Sequence, residues 1–100
     1  MRRSKIAVLG GGSWGTTTAA VISRQCDAVL WARDAQIVDE INQHHTNTRY
    51  LADAVLHPKL TATTALKVAV ENADAVLIAV PSSHFREVLV NALPDMPRDI

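Results

Sequence analysis

A single cysteine, Cys26, leaves no partner for an internal disulfide. With no Cys/His cluster at metal-ligand spacing around it, it reads as a small core or surface residue in a reducing compartment. His57 and His84 form no metal site either, because nothing supplies a third and fourth ligand at sensible spacing. No apolar run approaches the length of a membrane span. The basic start Met1-Arg2-Arg3-Ser4-Lys5 is followed by an apolar stretch too short for a signal-peptide h-region, so the expected setting is cytoplasmic. Ten basic residues balance ten acidic ones, which argues against nucleic acid or another polyanion held by bulk charge. Internal repeats and low-complexity tracts are missing, and 100 residues leave room for one small domain rather than two.

What is present is concentrated near the start. Lys5-Ile6-Ala7-Val8-Leu9 is a short apolar run that reads as a buried strand, and Gly10-Gly11-Gly12-Ser13-Trp14-Gly15 follows it directly. Gly10, Gly12 and Gly15 stand at the G-x-G-x-x-G spacing of a dinucleotide-binding turn. The first allows the tight turn out of the strand, the second lets backbone approach a pyrophosphate, and the third lets a new helix pack on the sheet. Free N–H groups at that helix start would face the phosphates. Thr16 to Ser23 can continue as a helix, having neither Pro nor Gly. The plain alternative is a strand, turn and helix whose glycines serve packing alone.

Further along, Ala28 to Ala32 fits a second strand buried on both faces. Asp34 offers an N-cap to a helix from about Ala35 to Gln43, with Ile37, Val38 and Ile41 at helical spacing. Residues 44–60 read as a long polar connection, and long connections are often functional. Thr61 to Thr63 is a short strand, and Ala65 to Asn72 a helix. Ala75 to Val80 is a strand stopped by Pro81. Ser82 or Ser83 then caps a helix with Phe85, Val88, Leu89 and Ala92 on its apolar face. This alternation implies an α/β fold, a Rossmann-like doubly wound parallel sheet in the order 3-2-1-4, with the ligand at the strands' carboxyl ends.

Four motifs occur in order along the chain: V-L-G-G-G-S-W-G-T-T, L-W-A-R-D, I-N-Q-H-H-T-N-T-R-Y-L and A-V-P-S-S-H-F-R-E-V-L. Together they resemble the N-terminal part of bacterial NAD(P)-dependent glycerol-3-phosphate dehydrogenase. The resemblance implies reduction of dihydroxyacetone phosphate to sn-glycerol 3-phosphate with a nicotinamide coenzyme, supplying glycerophospholipid synthesis. It also implies a helical C-terminal substrate domain across a cleft, and it allows a homodimer of the whole enzyme. The chain stops at Ile100, where the fifth strand is expected. A lysine-glycine motif, the proton-donating lysine and the phosphate-gripping residues belong beyond that point, so no catalytic residue is assigned here and the 100 residues alone are expected to be inactive. With its outer neighbour missing, the fourth strand would leave an apolar edge unpaired, and marginal stability or self-association is expected. The cofactor domain of another two-domain reductase, or a non-catalytic NAD(P)-binding module, are the competing readings.

The resemblance marks Ser13 and Trp14 as coenzyme contacts through backbone N–H groups, the Ser13 hydroxyl and the Trp14 ring, which would wall the nicotinamide side unless it packs under the second domain. Arg33 closes the second strand, where the adenosine ribose is read. A guanidinium there suits a 2′-phosphate and favours NADP over NAD, although Asp34 beside it could accept from a ribose instead of capping the helix. His45, Asn47, Arg49 and Tyr50 match a family pattern. Tyr50 is expected to approach the coenzyme, while Asn47 and Arg49 are as well suited to pinning the loop, and His44 reads as solvated. Ala52 and Asp53 stand where the family commonly has proline and often glycine. Pro81 ends the fourth strand, either beside the coenzyme or as a simple terminator. Phe85 reads as core.

Overall fold

The apolar runs at 5–9 and 27–31 pair in parallel, with Val8 opposite Leu30 and Leu9 opposite Trp31. Successive side chains on a strand point to opposite faces, so each run supplies both sides of the sheet. Val8 and Leu30 bury on one side with Ala19, Ile37, Val38 and Ile41. Ala7, Leu9 and Trp31 bury on the other with Ala69, Val70, Val88 and Ala92. Helices therefore cover both faces, as the uninterrupted apolar strands require.

The computed structural model describes residues 3–52 and 54–97. The elements run β1 (Lys5–Leu9), α1 (Ser13–Ile22), β2 (Asp27–Trp31), α2 (Ala35–His44), β3 (Thr61–Thr63), α3 (Leu66–Val70), β4 (Ala75–Ile78) and α4 (Ser82–Ala92). The sheet order is β3-β2-β1-β4, all parallel, as expected for the doubly wound topology. Ile100, Asp53 and the Met1-Arg2 start, all part of the sequence expectations, lie outside the described residues.

Several boundaries move for physical reasons. α1 begins at Ser13, inside the glycine motif, because Gly12 takes up the extended N-cap conformation (φ −74°, ψ −174°). β2 ends one residue early as a strand, yet the Ala32 amide still donates to Thr63 O at 3.1 Å. β4 likewise ends at Ile78, with Ala79 N donating to Leu9 O at 2.8 Å, before Val80 and Pro81 turn away. α3 is shorter than its apolar spacing suggests: Glu71 turns extended and Asn72 adopts a left-handed conformation (φ 59°).

Three expectations change. The N-cap of α4 is Pro81, without a side-chain cap hydrogen bond, so neither Ser82 nor Ser83 caps that helix. Phe85 is 43% exposed rather than core; Val88 and Ala92, one and two turns further along α4, are buried with Ala7 and Leu9 of the sheet, a cluster that does not include Phe85. The connection at 44–60 is not simply polar and irregular. Leu56 and Leu60 are buried at 3% and 1% exposure and pack with Val8, Leu30 and Ile41. Each such side chain contributes about 1.5–3 kcal/mol, a sizeable share of a small domain's total stability of about 5–15 kcal/mol.

Candidate functional site

At the carboxyl edge of the sheet, the turn after β1, the ends of β2 and β4 and the long loop enclose a cleft of about 330 Å³. Gly10, Gly12, Arg33, Tyr50 and Pro81, expected as site residues, all line it. Ser13, Trp14 and Gly15 do not. They form the first turn of α1 next to the cleft; Ser13 is exposed, Trp14 is 66% exposed, and Gly15 is buried. Val80, whose backbone the resemblance places beside the coenzyme together with Pro81, lines the cleft too; Gly11, Ala32, Ile37, Ala79 and His84 also line it and were not expected as site residues.

The glycines have different reasons to be glycine. Gly10 has φ +134°, and a Cβ there would strike the Ala79 carbonyl oxygen. A Cβ on Gly15 would strike the Gly10 carbonyl, and one on Gly11 would lie 2.6 Å from Ala32 Cβ. These three let the turn, helix and neighbouring strands meet. Gly12 differs: a Cβ built there meets nothing within 4 Å, and its backbone angles suit any L-residue. Nothing in the described residues requires glycine at position 12.

The start of α1 is electrostatically open. Its first turn holds no acidic residue and its N-cap supplies no side-chain hydrogen bond. Thr16 N, donating to Gly12 O at 3.0 Å, begins the helical ladder, so the preceding amides lack intrahelical acceptors and carry the positive end of the helix dipole. Such a turn is suited to an anion.

Around it, Asn47 is fully buried. Its Nδ2 donates to Gly11 O and to Thr16 Oγ1, both at 3.0 Å, and Thr16 Oγ1 donates in turn to Gly11 O at 3.2 Å. Asn47 thus ties the loop to the glycine turn, the pinning role weighed from sequence. Asp34 resolves toward capping: Oδ1 accepts from Gln36 N at 2.8 Å, and Oδ2 pairs with Arg49 Nη1 at 2.9 Å. Arg49 also lies 5.6 Å from the Tyr50 ring centre, so the pair braces Tyr50 at the cleft. Arg33 pairs with Glu87 Oε1 at 3.0 Å and lies 5.8 Å from the Trp31 ring centre.

Glu40 holds the base of the same loop. It accepts from Thr46 Oγ1 at 2.6 Å, from Thr48 N at 2.9 Å and from Thr48 Oγ1 at 3.2 Å. The Thr46 hydroxyl, followed by the Thr48 amide, holds its carboxyl below the usual glutamate value of 4.5. His45, at the end of α2, adopts a left-handed conformation (φ 58°) and donates its amide to Ile41 O, closing the helix where the loop departs. Among the described residues no group of three metal-ligating side chains occurs, and no helix is long and apolar enough to cross a membrane.

A four-stranded parallel sheet covered on both faces, with a glycine turn and an open helix start at its carboxyl edge, defines a Rossmann-like α/β domain of the nucleotide-binding class. Residues 5–99 match the family described as NAD-dependent glycerol-3-phosphate dehydrogenase N-terminus, and the chain belongs to that family. It is 51% identical over 90 residues to glycerol-3-phosphate dehydrogenase [NAD(P)+] 2 of Sphingopyxis alaskensis, covering 90% of this chain and 27% of that protein. Against the glycerol-3-phosphate dehydrogenase [NAD(P)+] of Acinetobacter baylyi it is 45% identical over 91 residues, covering 90% and 26%. The crystal structure of glycerol-3-phosphate dehydrogenase from Coxiella burnetii superposes with a TM-score of 0.86 at 37% identity, over 95% of this chain and 30% of that one. The chain spans about a quarter of the length of the curated relatives it matches.

Proposed function

We propose that this domain holds NADP(H), or less favourably NAD(H), for the reduction of dihydroxyacetone phosphate to sn-glycerol 3-phosphate. Gly12 is the observation that carries the reading. It is a glycine with no steric or conformational need inside the described residues, at the mouth of an uncapped helix and at the position where a pyrophosphate would press against backbone. Gly10, Gly12, Arg33, Tyr50 and Pro81 supply the walls of the coenzyme site. Ser13, Trp14 and Gly15 supply the first helical turn beside it, with the Ser13 and Trp14 amides toward the phosphates. Arg33 at the end of β2 supports a 2′-phosphate partner, hence NADP over NAD. Asp34 is already engaged by Gln36 N and Arg49, which weakens the case for it as a ribose acceptor.

The coenzyme, when bound, supplies the hydride that reduces the carbonyl carbon; a proton completes the hydroxyl. In this reading the proton donor and the phosphate-gripping groups belong to a helical C-terminal domain, and residues 1–100 form the N-terminal coenzyme domain short of its last strands. We place the protein in the cytoplasm, in a reading that allows a homodimer of the whole enzyme. The test is oxidation of NADPH by the full-length protein on addition of dihydroxyacetone phosphate. Turnover with this substrate, and none with hydroxyacid, ketopantoate or sugar-acid precursors, supports the reading. Tight coenzyme binding without such turnover would replace it with a binding module.

A further inference from the structure

Arg33 is not held ready by the cleft alone. Its Nη2 lies 3.0 Å from Glu87 Oε1, which reaches across from the second turn of α4. We propose that Glu87 sets the coenzyme discrimination of this site by competing with a ribose 2′-phosphate for the Arg33 guanidinium. The proposal rests on the reading of Arg33 given above.

The pair is built to exchange. Both side chains are about half exposed, 54% for Arg33 and 56% for Glu87, so the contact is screened and weak compared with a buried pair. Glu87 reaches Arg33 through one nitrogen, whereas a guanidinium carries five N–H donors in a planar fork. The Trp31 ring, 5.8 Å away, supports the cation without using those donors. Arg33 can therefore turn part of its fork to a second anion while it stays anchored at the end of β2.

Glu87 does not treat the two coenzymes alike. A phosphate monoester carries about −1.5 to −2 charge near neutrality. Placed on Arg33, it lies within a Debye length of about 8 Å from the Glu87 carboxylate, and the like charges repel. A 2′-hydroxyl brings no charge and leaves the Arg33–Glu87 pair intact. The other acidic group beside Arg33 in sequence, Asp34, is committed to the α2 amide and to Arg49. Glu87 is thus the carboxylate positioned to tax the phosphorylated coenzyme selectively.

The test is a fluorescence titration of the full-length enzyme with NADPH and with NADH, at low and high salt, for the wild type, Glu87→Gln, Arg33→Ala and the double variant. Glu87 is exposed, and matched melting curves will verify that Glu87→Gln keeps the fold. Glu87→Gln should tighten NADPH by about fivefold and leave NADH nearly unchanged. The gain should shrink in about 0.5 M salt and be clearly smaller when Arg33 is already alanine, where the competition for the guanidinium is gone and only the direct repulsion remains. If Arg33→Ala leaves the NADPH-to-NADH ratio unchanged, the Arg33 reading itself fails. If Arg33→Ala weakens NADPH selectively while Glu87→Gln shifts both coenzymes equally or neither, the role of Glu87 alone is overturned.

Discussion

The side-chain amide of Asn47 reaches across 36 residues of sequence to donate to the Gly11 carbonyl at 3.0 Å. The contact joins the long loop to the glycine turn, so the two walls of the cleft are positioned together. Its second bond, to Thr16 Oγ1, adds the first turns of α1 to the same unit.

Removal of this tie should be costly because Asn47 is fully buried. Asn47→Ala is expected to lower stability by about 1–3 kcal/mol. Asn47→Asp should be worse: a carboxylate in place of Nδ2 would set an acceptor against the Gly11 carbonyl, in a site without solvent to relieve it. Urea unfolding of the two variants checks the order, and an Asp variant as stable as wild type would remove Asn47 from this role.

Glu40 predicts a specific acid limb. Its folded pKa is lowered from 4.5 by Thr46 and Thr48, so the unfolded chain takes up this proton before the folded chain does. The contribution is fully present above the unfolded value and is lost as pH falls through the lowered folded one. A melting-temperature profile from neutrality to about pH 3 should therefore fall less steeply in Glu40→Gln than in wild type below about pH 4.5. Parallel profiles would show that Glu40 does not anchor the loop.

Leu56 tests whether the loop is part of the core. Leu56→Ala is expected to cost about 2–5 kcal/mol, against near neutrality for Val55→Ala, whose side chain is 82% exposed. Equal effects, measured by chemical denaturation, would mean that the loop packs differently.

Among the described residues β4 lies at an edge of the sheet, with Leu77 36% exposed. An unpaired apolar edge recruits other strands. Residues 1–100 expressed alone are expected to be marginally stable or to self-associate, and where they associate Leu77→Lys should shift them toward monomer in sedimentation experiments. A sharply melting monomer without that substitution would contradict the expectation.

Much of this architecture was legible in the chain. Continuous apolar runs at 5–9, 28–32 and 75–80 announce the strands, the first two with residues buried on both faces, and the order 3-2-1-4 follows from their alternation with helices. Gly10, Gly12, Arg33, Tyr50 and Pro81 converge because strand ends and the loops after them share one edge of a parallel sheet. Leu56 and Leu60 were not legible as core because isolated apolar residues in an irregular loop have no period to betray which way they face. The packing need for Gly11 depends on Ala32, a neighbour distant in sequence. Phe85 shows the converse: helical spacing puts it on one face with Val88 and Ala92, yet only those two are buried. The Arg33–Glu87 and Asp34–Arg49 pairs arise only when separate elements meet, so neither left a local signature.

The central claim, that Gly12 is glycine for the sake of a bound coenzyme phosphate, is tested most directly by Gly12→Ser in the full-length protein. A serine N-cap can accept from a free amide of α1 and narrows the unfolded ensemble, so stability should hold or rise by a few tenths to about 1 kcal/mol. Its side chain would occupy the space left for the phosphate, and NADPH affinity should fall by at least about tenfold, a loss of about 1.4 kcal/mol. Preserved stability with lost affinity is the predicted result. Unchanged NADPH affinity in a folded Gly12→Ser protein would contradict the account.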